Sequence, residues 1–145
     1  MVVVDRSVLA SYTADEMYAL VDDVESYPQF LPWCEGTRVV SREPGRTVAT
    51  IRASYHGLRQ EFTTQNTNRR GERIDIDLVS GPFRTLRGHW QFTPLGERGC
   101  RIDFRLEYQF ASRLLEKIAG PVFHRIADNF VDAFVHRAEQ RLGPR

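Results

Sequence analysis

A chain of 145 residues with 41% hydrophobic and 27% charged side chains is long enough to bury its own core and too apolar to stay disordered. Lys and Arg number 20 against 19 Asp and Glu, so a formal charge of +1 excludes a field that gathers nucleic acid over the whole surface, and any such contact is local. Cys34 and Cys100 fit no metal spacing, the opening MVVVDRSVLASYTADEM does not read as an export signal, and no run reaches the roughly 18 apolar residues of a spanning helix. These points predict one domain over residues 1–145, cytoplasmic, with free thiols and with membrane contact peripheral at most.

The Val-rich segment from about Val2 to Ala10 is predicted to be a strand. Thr13 and Glu16 then form a T-x-x-E capping box, and Met17, Leu20, Val21 and Val24 recur at helical spacing, which predicts a short amphipathic helix. In ESYPQFLPWC, Pro28 and Pro32 forbid one continuous helix but allow Pro28 to open a single turn. That turn concentrates Tyr27, Phe30, Leu31 and Trp33 beside Val24, and reads as a lid over an opening.

From Gly36 the pattern changes to strands separated by reversals at Pro44-Gly45, His56-Gly57, Arg70-Gly71, Gly81-Pro82 and Gly96 to Gly99. Six strands are expected. The clearest places Cys100, Ile102, Phe104, Leu106, Tyr108 and Phe110 on a dry face, with Arg101, Asp103, Arg105, Glu107 and Gln109 on a wet one. Leu86, Gly88, Trp90 and Phe92 repeat this in the strand before, and Ile74, Ile76 and Leu78 in the strand before that. The dry face needs a cover, and the last segment supplies one. Ser112 can cap a helix whose stripe carries Leu115, Ile118, Ala119, Val122, Ile126, Phe130, Ala133 and Phe134, with a kink predicted at Gly120-Pro121 because Pro121 has no N–H for the Lys117 carbonyl.

Small residues (Ala49, Ala53, Gly88, Ala119) sit among large ones (Trp90, Phe104, Phe123) beneath that helix. Two readings stand side by side: the large side chains fill the gaps of the small ones, or a void is left for an apolar ligand.

YALVDDVESYPQFLPWC, LVSGPFRTLRGHWQFTPL and NFVDAFVHRAEQ together resemble the coenzyme Q-binding and ribosome-association toxin family, over nearly the whole chain. The resemblance implies an α+β helix-grip fold of the START-like, polyketide cyclase-like, Bet v 1-like kind: a seven-stranded antiparallel curved sheet around a long C-terminal helix, in the order β-α-α-β6-α. It also implies two roles. Some relatives are similar to lipid chaperones that bind ubiquinone in the cavity and support respiration. Others bind the large ribosomal subunit and block subunit joining. The motifs here are common to both.

For a prenyl quinone or another apolar small molecule, the expected cavity lining is Tyr27, Phe30, Leu31, Trp33, Tyr55, Phe83, Leu86, Trp90, Phe104, Leu106, Leu115, Ile118, Val122, Ile126 and Phe130. Trp33, Tyr27, Tyr55 and Arg52 are the candidate donors to a headgroup. For the ribosome, the candidate phosphate contacts are Arg69, Arg70 and Arg73, then Arg84 and Arg87, then Arg137, Arg141 and Arg145. No nucleophile elbow, phosphate loop or metal motif occurs, His124 and His136 fall about 120° apart on a helix, and His56 and His89 read as turn and wet-face residues, so no catalysis, metal or required cofactor is expected.

Overall fold

The structure, a computed structural model, describes residues 1–55 and 57–145. The expected reversal at His56-Gly57 therefore falls partly outside the described residues. Seven strands form one antiparallel sheet in the order β1-β7-β6-β5-β4-β3-β2: β1 (Val2–Ala10), β2 (Cys34–Glu43), β3 (Arg46–Tyr55), β4 (Leu58–Arg69), β5 (Arg73–Ser80), β6 (Phe83–Leu95) and β7 (Gly99–Phe110). The helix α1 (Ala14–Asp22) and a 3₁₀ turn (Val24–Gln29) join the two edge strands, and α2 (Arg113–Asp128) and α3 (Phe130–Leu142) cover the concave face.

The alternation on β6 and β7 places the core. Leu86, Trp90, Phe92, Ile102, Phe104, Leu106, Tyr108 and Phe110 are all buried, while Arg87, Arg101 and the paired Arg105 stay on the convex face. Trp90 is the hub: its ring lies 4.6 Å from Phe104, 5.6 Å from Phe130 and 5.4 Å from Phe134. Offset and edge-to-face rings of this kind add to burial because each edge meets the negative face of its neighbour. Gly88 does not open a void. It pairs with Leu106, and a Cβ there would collide with the Arg105 carbonyl, so the missing side chain lets two strands approach.

The Thr13 hydroxyl accepts from the Glu16 N–H at 3.1 Å and the Glu16 carboxylate accepts from the Thr13 N–H at 2.9 Å, which completes the capping box that starts α1. The following turn differs from expectation in two ways. Pro28 lies inside the 3₁₀ turn instead of opening it. The turn is also a piece of the core and no lid: Val24, Tyr27 and Leu31 are buried, and the Tyr27 and Phe30 rings lie 5.3 and 5.1 Å from Phe134.

The C-terminal segment is interrupted at Asn129, not at Gly120-Pro121. Pro121 and Lys117 are exposed, so water can serve the carbonyl that loses its donor and the helix runs on. At Asn129 the side-chain amide donates to the Arg125 carbonyl at 2.9 Å, competing with the backbone bond that Asn129 N–H makes to the same oxygen at 3.1 Å. The backbone there relaxes to φ −99°, ψ 3°. Arg6 from β1 holds this junction, donating to the Asp128 carbonyl at 2.5 Å and reaching Asp132 at 3.3 Å.

The two helices grip the sheet unequally. In α3, Val131, Phe134 and Ala138 have no exposed surface. In α2 the buried positions are the small Ala119 and Ala127, and its larger apolar residues are half-buried or exposed. Burial scales with apolar area, so α3 is the anchored helix and α2 the looser cover.

Candidate functional site: an apolar cavity under the C-terminal helix

Among the described residues, two apolar cavities lie between α2, the start of α3 and the concave face. The larger, of about 80 Å³, is walled by Trp33 and Tyr27 from the turn, Trp90 and Phe104 from the sheet, and Ile126 and Phe130 from the helices. Leu86 and Leu106 complete its floor. The smaller, of about 40 Å³, lies where the β3–β4 hairpin and the β5–β6 turn meet α2, and is bounded by Tyr55, Leu58, Phe83, Ala119 and Val122. Phe62, Phe123 and Ile126 line both, and the Phe62 and Phe123 rings stand 6.2 Å apart, so the two cavities are neighbours with these side chains between them.

The expected lining residues separate into groups. Tyr27, Trp33, Leu86, Trp90, Phe104, Leu106, Ile126 and Phe130 meet at the larger cavity, and Tyr55, Phe83, Val122 and again Ile126 at the smaller. The other four stand elsewhere. Leu31 is buried in the turn, Phe30 packs on Phe134 beneath Arg137, and Leu115 is half-buried against the core. Ile118 is 52% exposed, because the apolar stripe of α2 is wider than the face the sheet covers.

The polar groups of the cavity are also placed differently. The Tyr27 hydroxyl donates to the Val21 carbonyl at 2.5 Å and is spent, and burial holds its proton far above the usual phenol range. Arg52 is exposed on the convex face, in a groove with Arg38 and Glu61. Thr64 and Asn66, on the inner face of β4, contribute polar atoms to the larger cavity. Thr64 is buried at 6% exposure, and its hydroxyl donates to Asn66 Oδ1 at 3.2 Å. A bulge that leaves Val79 of β5 unpaired lies beside Thr63 and Thr64. Ile51, Phe62, Ile74, Ile76 and Phe123 were equally outside the expected lining.

Neither cysteine lines these cavities, and both are buried free thiols. Burial pushes the thiols of Cys34 and Cys100 up to about 11, which keeps both protonated at neutral pH. Burial likewise pushes the Tyr108 hydroxyl up to about 12; it lies 3.4 Å from His124 Nδ1 on the outer side of α2. His89, depressed by burial and by Arg73, stays neutral on the convex face. Among the described residues no three His, Cys, Asp or Glu side chains gather as metal ligands.

A curved antiparallel sheet that closes on a C-terminal helix over an apolar cavity defines the helix-grip, START-like class of domain. An aromatase/cyclase from Streptomyces sp. R1128 superposes with a TM-score of 0.85 over 97% of this chain and 95% of that one, at 15% identity. Residues 10–135 match the model of the family described as polyketide cyclase / dehydrase and lipid transport. The ribosome association toxin RatA of Escherichia coli (strain K12) is 44% identical over 98% of this chain and 90% of its own length. The mitochondrial coenzyme Q-binding protein COQ10 of Drosophila melanogaster is 29% identical over 94% of this chain and 58% of its own. The chain therefore belongs to the polyketide cyclase / dehydrase and lipid transport family, with relatives named for ribosome association and for coenzyme Q binding.

Proposed function

We propose that the protein binds an apolar small molecule, a prenyl quinone such as ubiquinone, in the cavity under α2, without catalysing a reaction on it. The observation that carries this reading is the unfilled apolar space left in a core otherwise packed ring against ring. Close packing is the rule in protein interiors, and an empty apolar cavity costs the contacts its walls forgo. The cavity volumes are well below the roughly 300 Å³ at which ligand pockets begin, so uptake requires α2 to move outward and Phe62 and Phe123 to part. A polyprenyl tail suits the enlarged space because each buried CH₂ contributes about 0.8 kcal/mol. Among the described residues no helix is long and apolar enough to cross a membrane. Exchange with a bilayer would be peripheral, through the exposed Leu114 and Ile118 beside the exposed Arg113 and Lys117.

A second reading, association with the large ribosomal subunit, is favoured by the name of the 44% identical relative. Part of the candidate arginine surface is already neutralised: Arg69 pairs with Glu72, Arg73 with Asp75 and Arg145 with Glu16. Among the described residues Arg70, Arg84, Arg87, Arg137 and Arg141 form no ion pair, Arg137 being engaged by the neutral Gln29 and Phe30, and are the remaining candidate phosphate contacts. One preparation tests both readings. Solvent extraction and mass spectrometry of the purified protein are expected to yield a prenyl quinone. A protein that carries none, and that sediments with large subunits at low salt, would replace the first reading by the second.

A further inference from the structure

The inner face of β4 changes character along its length. Leu58 and Phe62 stand at the end near the β3–β4 hairpin, and Thr64 and Asn66 follow at the next two inward positions, where the larger cavity is bounded by Val21, Val24 and Tyr27. Thr64 is buried and Asn66 half-buried at this wall, and a polar side chain that loses hydration there gains by finding a hydrogen-bond partner. Their mutual bond gives each one partner. The Thr64 hydroxyl donates to Asn66 Oδ1 at 3.2 Å and fixes the amide, and among the described residues the Asn66 Nδ2 protons meet no acceptor. Of the donors expected from the sequence, the Tyr27 hydroxyl is bonded to Val21, Arg52 faces outward and Tyr55 lines the smaller cavity, which leaves the Trp33 indole N–H beside the Asn66 amide at this wall.

We infer that Asn66 is the headgroup donor of the cavity, and that the ligand is an amphiphile with an acceptor oxygen at one end. It lies with that oxygen at Asn66 and its apolar tail running past Phe62 and Phe123 toward Tyr55, Leu58 and Val122. The inference rests on the apolar-ligand reading and adds to it an orientation and a chemical preference. Thr64 orients the amide through one lone pair of Oδ1, and the Nδ2 protons are the donors it presents, so a quinone carbonyl or methoxy oxygen fits and a bare hydrocarbon gains nothing. Trp33 and Trp90, the two tryptophans of the chain, line the same cavity as Asn66.

That placement supplies the readout, because a quinone beside an indole quenches its fluorescence. The full chain is titrated with a ubiquinone carrying two isoprene units, and a prenyl hydrocarbon of the same tail length is used as competitor. Quenching is expected in the native protein. Asn66→Leu, of similar volume, is expected to bind the quinone about tenfold more weakly, the worth of one hydrogen bond, with competition by the hydrocarbon unchanged. Asn66→Asp keeps the shape and replaces the donors by acceptors, and is expected to weaken quinone binding as well. Native affinity in Asn66→Leu, or a loss in Asn66→Leu that Asn66→Asp does not share, overturns the inference and leaves the apolar-ligand reading standing. If the native protein shows neither quenching nor competition, the reading itself fails and takes the inference with it.

Discussion

Glu16 accepts from the Thr13 N–H within the capping box and from Arg145 at 2.6 Å, and these partners, Arg145 foremost, hold its carboxyl below the ordinary carboxylate range. The unfolded chain therefore binds this proton more readily, and the stability Glu16 contributes is present above the ordinary carboxylate value and lost as pH falls through its folded one. Asp22 has the opposite sign: burial raises its pKa, so it favours the folded state at lower pH and loses that contribution as pH rises through the raised value. Glu16→Gln retains an oxygen for the Thr13 N–H but no charge for Arg145. The acid-side fall in the urea midpoint between about pH 7 and about pH 4 is expected to flatten in this variant. An undiminished slope would assign the acid sensitivity to other carboxylates. Residue-level reading of the sequence succeeded where one signal dominates, as in the T-x-x-E box and the inward Trp90 and Phe104. It missed Thr64 and Asn66 because the inward face of β4 mixes Gln60, Phe62, Thr64 and Asn66, so apolar alternation, the only register signal available, disappears there.

At the scale of elements, the two C-terminal helices differ in what holds them. α3 buries Val131, Phe134 and Ala138 completely and is tied at its end by the Tyr12 hydroxyl, which donates to the Gly143 carbonyl at 2.7 Å. α2 covers the cavities with half-buried Val122, Phe123 and Ile126, and it leaves Leu114 66% exposed. Local opening free energy follows buried contacts, so native-state hydrogen exchange is expected to be faster across α2 than across α3, and the contrast should shrink when quinone is bound. Equal protection in the two helices without ligand would argue against α2 as the moving cover. The strands and the covering helical segment were legible from period-2 and period-3.6 patterns, and the α+β class from the family resemblance. The break at Asn129 was not, since Gly120-Pro121 gives a louder sequence signal than one Asn whose effect depends on where its amide points. Nor could the stripe on α2 show which of its edges the sheet covers, and Ile118 lies beyond that edge.

For the molecule as a whole, binding and folding share one balance. A ligand that binds only the folded state adds about 2.7 kcal/mol of stability when present at 100 times its Kd. For a chain of this length each kcal/mol moves the midpoint by about 2–4 °C, so saturating short-chain ubiquinone is expected to raise Tm by about 5–10 °C. The control must remove the cavity and keep the fold. Ala49 serves, because it is buried in the wall of the larger cavity and pairs across the sheet with Thr64. In Ala49→Leu the added methyl groups occupy the space a ligand would take, at a cost of about 1–3 kcal/mol if the walls yield little and less if they were empty to begin with. The variant is expected to melt cooperatively near the native midpoint and to show no ligand-induced rise. A rise equal to that of the native protein would show that the quinone binds somewhere other than the larger cavity under α2.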